Sequence, residues 1–378
     1  MSSHAADAAH GAGTGDAAAL RHVLGHLVTP LLMCIGMGLA YLGAFGSPQP
    51  HDMRVDVVGS GPGAQVLAQH LNDTGDGALD VRTVPSEAAA RQQLTDREIV
   101  AAFLPGDRPE LLVASASSDT DATVAEGVFT KVAAAQDAPL TVTDIVRTAS
   151  GDPTGQGVFF LLVAISIGSY ASVAVIGGVG GVLPMRLRAL LGLGMSLVVS
   201  LVGLAFAGPV FHLVDHGLTG VWGLAWIYSA GILLVGIGLH TFLKRWTTLG
   251  VMALFVMLNF TSSGGLFRPD LQNGFFGSLH AFWNGAGFVE GARGVVYFGG
   301  DQVGRHVGTL VGWALAGAVL VAAAGVVEAR RRAVGAAVAG AGAAVGAAGA
   351  VGAAGAAGAR SEEARAEAEE EAEEAVGV

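Results

Sequence analysis

Apolar residues gather into six long runs, in the order one, a gap, then five. The runs cover 23–45, 157–183, 189–211, 221–243, 246–264 and 307–327, and none of them holds Asp, Glu, Lys or Arg. A hydrocarbon core of roughly 30 Å takes about 20 helical residues to cross, so the pattern predicts six transmembrane helices. The gap, 46–156, is polar and charged like an aqueous domain. The predicted fold class is an α-helical polytopic membrane protein, one span plus five, with an inserted extracytoplasmic α/β domain. Its predicted parts are an N-terminal tail (1–22), a first span (23–45), the α/β domain (46–156), a five-helix domain (157–328) and a tail (329–378).

Within the gap the period changes. Short β-rich runs at 54–59, 79–84, 99–104, 110–116 and 140–146 alternate with helix-like stretches at 62–72, 86–95 and 120–136. Such alternation predicts a small α/β domain with a mixed or partly parallel sheet. Ser86 with Glu87, and Asp119 with Asp121, suit helix N-termini. Gly59, Gly61 and Ala64, with Asp80 about 20 residues on, spell a dinucleotide fingerprint. Pro62 inside the turn and the position of Asp80 at the start of its strand favour a plain strand-to-helix turn instead.

Composition agrees with a membrane class. Mean hydropathy is +0.56 and only 13% of residues are charged, against about a quarter in soluble domains. The net charge of −11 is dominated by eight glutamates in 362–374. No basic patch offers a nucleic-acid partner. Cys34 is the only cysteine, so no disulfide within the chain holds the outer domain. The first run is longer than the 7–15 apolar residues of a secretory signal, and no clean cleavage site follows it; it is expected to stay as an anchor.

Loop charges set the expected orientation. Arg21, Arg186/Arg188, Lys244/Arg245 and Arg330–Arg332 fall on one side of six alternating spans, which makes that side and both termini cytoplasmic. Arg268, Arg293 and Arg305 fall outside, against the trend. The expected location is the cell membrane, with 46–156 extracytoplasmic.

Candidate chemistry is sparse in the spans. They offer His26, His240 and Asn259 and no carboxylate, which argues against a proton- or sodium-driven relay. Neither Lys131 nor Lys244 follows a glycine, so the chain has no phosphate-binding loop. His22/His26 and His212/His216 have helical metal spacing without the H-E-x-x-H form. No cofactor, metal or enzymatic activity is expected. Gly177/Gly181 and Gly308/Gly312 have the four-residue spacing of close helix contact; packing within the chain is the plainer reading, and a homodimer seam is the other.

The stretch 259–300 is unlike an ordinary loop. It has a Ser-Ser-Gly-Gly break and two aromatic-rich stretches, and 265–300 is expected to form a pair of interfacial or half-inserted helices. Asn259 with Ser263-Gly264-Gly265, Phe275-Phe276, Gly291-Ala292-Arg293-Gly294 and Tyr297-Phe298-Gly299-Gly300, together with AYLGAFGSPQPH (40–51) and DPTGQGVFF (152–160), carry a resemblance. Over about 23–330 the chain resembles permeases of the type 2 ABC exporter class, nearest the phage-infection-protein-like branch and its actinobacterial members. It departs from them at Leu271, Gln272, Phe282, Trp283 and Asn284, where relatives tend to carry prolines. The resemblance implies a permease subunit that exports a hydrophobic compound, a lipid or drug, with a separate ATPase as partner. Candidate functional residues are then Asn259, Ser263, Gly264, Gly265, Phe275, Phe276, Arg293 and Tyr297, with Arg186 and Arg188 as ATPase contacts. Rival readings are a membrane receptor or scaffold whose outer domain binds a partner, and half of a proton-driven pump.

The tail closes the chain. Residues 333–359 contain only Ala, Gly and Val and read as a cytoplasmic low-complexity linker rather than a seventh span. The Ala/Glu-rich 361–375 has high helix propensity and reads as a solvated helix or disordered tail.

Overall fold

The computed structural model describes residues 4–300 and 302–376, with side chains described for 20–340 apart from His26 and Asp301. The expectation placed on His26 therefore lies outside the described side chains. Met1–Ala322 form one compact unit and Ala323–Val378 a second.

The first unit opens with α1 (His4–Phe45), which begins well before the predicted span, and continues into a three-layer α/β domain. Its elements are β1 (Met53–Val58), α2 (Pro62–Thr74), β2 (Leu79–Val84), α3 (Glu87–Thr95), β3 (Ala101–Leu104), β4 (Glu110–Val113), α4 (Asp119–Ala134) and β5 (Thr141–Asp144). The sheet order is β2-β1-β3-β4-β5. Strands joined through a helix pair in parallel, whereas the short β3–β4 link gives the one antiparallel pair, as connection length requires.

Alternation along the strands sends Met53, Val55, Val57 and Phe103 to one face, under α2 and α4. Phe103 stacks on Phe129 of α4 at 4.8 Å. Ala102 and Leu112 point the other way and meet Ala90 and Leu94 of α3. Ser86 and Ser118 cap α3 and α4 by accepting from Ala89 N and Asp121 N. At the turn between β1 and α2, Gly59 has φ +143°, a Cβ at Gly61 would meet nothing within 4 Å, and Asp80 pairs with Arg82 at 2.8 Å.

Among the described residues, five helical runs are long and apolar enough to cross a membrane: Leu20–Phe45, Gly157–Val182, Met185–Val210, Leu218–Ser262 and Val303–Gly340. They contain α5 (Gly157–Gly178), α6 (Met185–Ala205), α7 (Leu218–Leu243), α8 (Thr247–Met252), α9 (Leu258–Ser262) and the start of α12 (Val303–Val376). Two shorter helices, α10 (Gly274–His280) and α11 (Asn284–Tyr297), precede α12.

The run Leu218–Ser262 has 45 residues, about 68 Å if straight, far more than a bilayer needs. It is not straight. Lys244 adopts φ 49°, and Tyr228 and Asn259, nearly equidistant from it in sequence, bond at 2.5 Å. The run therefore folds back on itself and holds two of the predicted apolar segments.

The bundle core is built from α5, α7 and α11, with Leu162, Ile165, Ile232, Leu233, Phe288 and Val289 buried together. The start of α12 descends beside α7: a Cβ at Gly238 would stand 2.7 Å from Leu320 Cβ, and one at Gly317 2.6 Å from Leu234 Cβ. Large apolar side chains remain exposed along α1, α6 and α12, including Leu31, Leu39, Val198, Leu201, Leu315 and Val319. That much exposed apolar surface suits a lipid surrounding and not water. Arg21 and Arg245 line one cavity of about 450 Å³ at the far end of α7 from its start.

Two expectations change. A Cβ at Gly177 would meet His240 at 2.9 Å, as close packing predicts, but one at Gly181 would meet nothing within 4 Å, and the same holds at Gly308 and Gly312. The latter pair is thus open and not an internal seam. The second unit is helical as far as Val376, through the expected linker 333–359. Alanine, the strongest helix former, outweighs the glycines there. Within that unit Arg332 pairs with Glu328 at 3.4 Å.

Candidate functional site

The Ser-Ser-Gly-Gly break ends α9 and turns the chain. Ser263 Oγ donates to Phe260 O at 3.0 Å and accepts from Gly265 N at 3.2 Å. Gly264 has φ +72°, and a Cβ there would lie 2.6 Å from His280 Cε1 and 3.0 Å from Glu290 Oε1. Both conformation and space demand glycine. At Gly265 a Cβ would come 2.3 Å from the Phe159 ring. The chain is then tied back, because Gln272 Nε2 donates to Thr261 O at 2.7 Å and Asn273 Nδ2 to Gly43 O at 2.9 Å. Asn273 Oδ1 also caps α10 through Phe275 N and Phe276 N.

A neutral network starts at Asn259. A helix N-terminus leaves backbone N–H groups without partners, and α11 has no side-chain cap of its own. Asn259 Oδ1, from another helix, accepts from Gly285 N at 2.6 Å. Its Nδ2 donates to Tyr228 Oη at 2.5 Å. Ser166 Oγ donates to Leu162 O at 2.7 Å, which leaves Tyr228 as donor in the 2.5 Å Ser166–Tyr228 bond. All three side chains are fully buried.

A charged network lies further along α11. Arg293 donates to Gly264 O at 2.8 Å and Gly265 O at 3.3 Å, and it pairs with Glu290 at 3.2 Å. Glu290 also pairs with Arg97 of the sheet domain. Arg97 Nε donates to Ser117 Oγ at 3.3 Å, and its guanidinium lies 5.1 Å from the Phe298 ring centroid. Arg268 Nη1 donates to the same Ser117 Oγ at 2.6 Å. Arg268 Nε lies 3.7 Å from Asp121 and 3.9 Å from Asp270. His280 completes the group, with Nδ1 3.0 Å from Ser262 O.

The electrostatics follow from burial and pairing. Glu290 and Arg293 are 4% exposed and Asp121 is 1% exposed. Burial opposes the Glu290 charge, but the Arg97 and Arg293 guanidiniums outweigh it and hold its carboxyl well below the usual carboxylate range. Asp121 goes the other way: burial pushes it up to about 6, with Arg268 only partly opposing. Burial lowers His280, with Glu290 opposing. A clamped, ionised Glu290 is a poor proton carrier. Arg97, Arg268 and Glu290 also border a polar cavity of about 260 Å³.

Of the residues predicted from sequence, Asn259, Ser263, Gly264, Gly265 and Arg293 converge here. Phe276 is buried 3.8 Å from a Gly43 Cβ position, whereas Phe275 is exposed. Tyr297 Oη accepts from Ala149 N at 3.2 Å, beside the turn where Asp152 Oδ2 accepts from Gly157 N at 2.9 Å to open α5. Arg186 and Arg188 lie apart on α6. Arg186 is exposed and Arg188 is buried. Sequence reasoning missed Glu290, Arg97, Asp121 and Tyr228. One signal was available: Glu290 and Arg293 have (i, i+3) spacing in an otherwise apolar, Gly-rich helix. Burial and pairing also explain why Arg268 and Arg293 sit against the loop-charge trend. Among the described residues no three His, Cys, Asp or Glu side chains gather as metal ligands. Comparison with protein-family models, curated proteins and solved structures gives no match.

Proposed function

We propose that this chain is the membrane permease subunit of an exporter for a hydrophobic compound, powered by a separate ATPase. Six spans alternate through the cell membrane, with the fold at Lys244 dividing the longest apolar run. The sheet domain is outside and both termini are cytoplasmic. The observation that carries the reading is the buried helix α11 between the last two apolar segments. A helix that starts and stops inside protein at membrane depth is tolerated only where other helices satisfy its ends, as Asn259 does here. Such interrupted helices are used to build transport sites. Because the spans are free of carboxylates and Glu290 is clamped, the driving energy is assigned to a nucleotide hydrolysed elsewhere.

The test is purification of the full chain from its native membranes in a mild detergent, followed by assay of co-eluting ATP hydrolysis. The chain lacks the Gly-Lys-Ser/Thr of a phosphate-binding loop, so hydrolysis that follows it belongs to a partner. An ATPase subunit in fixed ratio is expected, and Arg186→Glu should reduce its recovery. A folded chain that elutes without any ATPase overturns the reading.

A further inference from the structure

Two cavities on the molecule share a wall. The polar one, about 260 Å³, is lined by Arg97, Arg268, Arg305 and His280 with Asp270 and Glu290. The second, about 340 Å³, is an apolar groove lined by Phe282, Gly308, Gly312, Trp313 and Ala316. Thr309 lines both.

Three arginines face two carboxylates across the polar cavity. Arg97 and Arg268 spend only part of their donors on Glu290, Ser117, Asp121 and Asp270. Arg305 is exposed, and its guanidinium has no hydrogen bond or ion pair among the described residues. The cavity thus holds spare cationic donors of the planar, forked kind that match phosphate oxygens. On α12, Arg305, Thr309, Gly312 and Ala316 recur at helical spacing and share a face. That face changes from charged to hydroxyl to apolar within about 16 Å of helix. The face is open at these glycines, since a Cβ at Gly308 or Gly312 would meet nothing within 4 Å.

We propose that cavity and groove are one site for an amphiphile with a phosphate head and an apolar tail. The head sits among Arg97, Arg268 and Arg305, and the tail lies along α12 over Gly308 and Gly312. This names the substrate class of the exporter and rests on that reading.

The test uses the full-length chain, without any ATPase, in dodecyl maltoside. Native mass spectrometry measures its affinity for palmitoyl-oleoyl phosphatidylglycerol, for palmitoyl-oleoyl glycerol, which has the same chains and no phosphate, and for tail-less glycerol phosphate. Phosphatidylglycerol should bind about tenfold or more tighter than either, the worth of a charge-assisted hydrogen bond. Arg305→Gln should remove the preference over palmitoyl-oleoyl glycerol. Gly312→Leu should fill the groove, weakening both lipids and leaving glycerol phosphate unchanged. Both positions are exposed, so both variants should fold. Equal binding of the two lipids to the wild type, or a preference that survives both variants, overturns the proposal. So does glycerol phosphate binding as tightly as the lipid, which would mean a site for a soluble phosphate. A Gly312→Leu change in oligomeric mass without a change in lipid affinity would instead make the groove a seam between two copies. Lipid binding without a co-purifying ATPase would leave this site standing while the exporter reading falls; the reverse result would separate them the other way.

Discussion

Two polar networks meet on α11, and they are built from different chemistry. Near its start, Gly285 N–H is held by Asn259, which bonds Tyr228, which in turn bonds Ser166, and none of these groups carries a charge. Two turns on, Glu290 and Arg293 join Arg97, a fully charged arrangement. The neighbours account for the difference. The first network is enclosed by α5, α7 and α9, where an unpaired charge would be costly and nothing could offset it. The second lies where the sheet domain delivers Arg97, Ser117 and Asp121. On α11, charge is buried where the sheet domain supplies a counter-charge. The sheet domain is therefore part of the structure that holds α11.

The comparison breaks most visibly at Glu290. Glu290→Gln keeps the shape but leaves Arg97 and Arg293 facing one another without the carboxylate. Removing one partner of a buried pair costs about 3–5 kcal/mol. Unfolding in detergent should show a loss of that size, together with faster proteolysis of the sheet domain. A loss under about 1 kcal/mol, the range of solvated pairs, would mean that water reaches the cluster.

Asp121 and Glu290, both in the charged network, respond to pH with opposite signs. Below its ordinary value of 3.8 the Asp121 carboxyl is protonated in folded and unfolded chains alike. Between that value and about 6 the folded chain keeps the proton and the unfolded chain loses it. Stability therefore falls as pH rises through this window, by about 2–3 kcal/mol, and is flat above it. Glu290 has the opposite sign, since its stabilisation is complete above 4.5 and fades only in stronger acid. The difference between wild type and Asp121→Asn isolates the Asp121 part. Parallel stability curves from pH 4 to 7 would rule out this account.

The neutral network should yield a smaller effect. Asn259→Ala strands Gly285 N–H and removes one donor from Tyr228, at a cost of about 1–2 kcal/mol. Tyr228→Phe should cost less, because Asn259 keeps its bond to Gly285. If the two substitutions cost the same, the cap on α11 is not what Asn259 contributes.

Much of this was legible in the sequence, for physical reasons that also explain the gaps. Periodicity is local, so the five strands and three helices of the sheet domain and the long apolar runs could be read directly. Ser86 and the Ser263-Gly264-Gly265 break were legible because caps and positive φ depend on single residue types. Glu290 was not, since its partner Arg97 lies 193 positions away and nothing in the neighbourhood of either residue announces the other. Arg188 has a loop residue's charge and neighbours in sequence, yet it is buried; whether a short loop lies over its own helix is a tertiary fact. Gly308 and Gly312 have a packing motif's spacing, but spacing does not say whether a partner is present.

The smallest predicted effect tests whether distance or burial sets the value of an ion pair in this protein. Arg82 and Asp80 sit at 2.8 Å on the outer surface of the sheet, closer than the 3.2 Å between Arg293 and Glu290. If proximity decided, the outer pair would be the stronger. Water decides otherwise. Arg82 is largely exposed, its charge is solvated whether or not Asp80 is present, and ordering two side chains offsets much of the attraction. Arg82→Gln should leave the melting temperature unchanged within error, at low and high salt alike. Arg293→Gln, chemically the same replacement, should lower it by many degrees, because it removes a charge that Glu290 cannot replace with water. Comparable shifts in both variants would show that the α11 cluster is hydrated, and the contrast between the charged and neutral networks would then lose its physical basis.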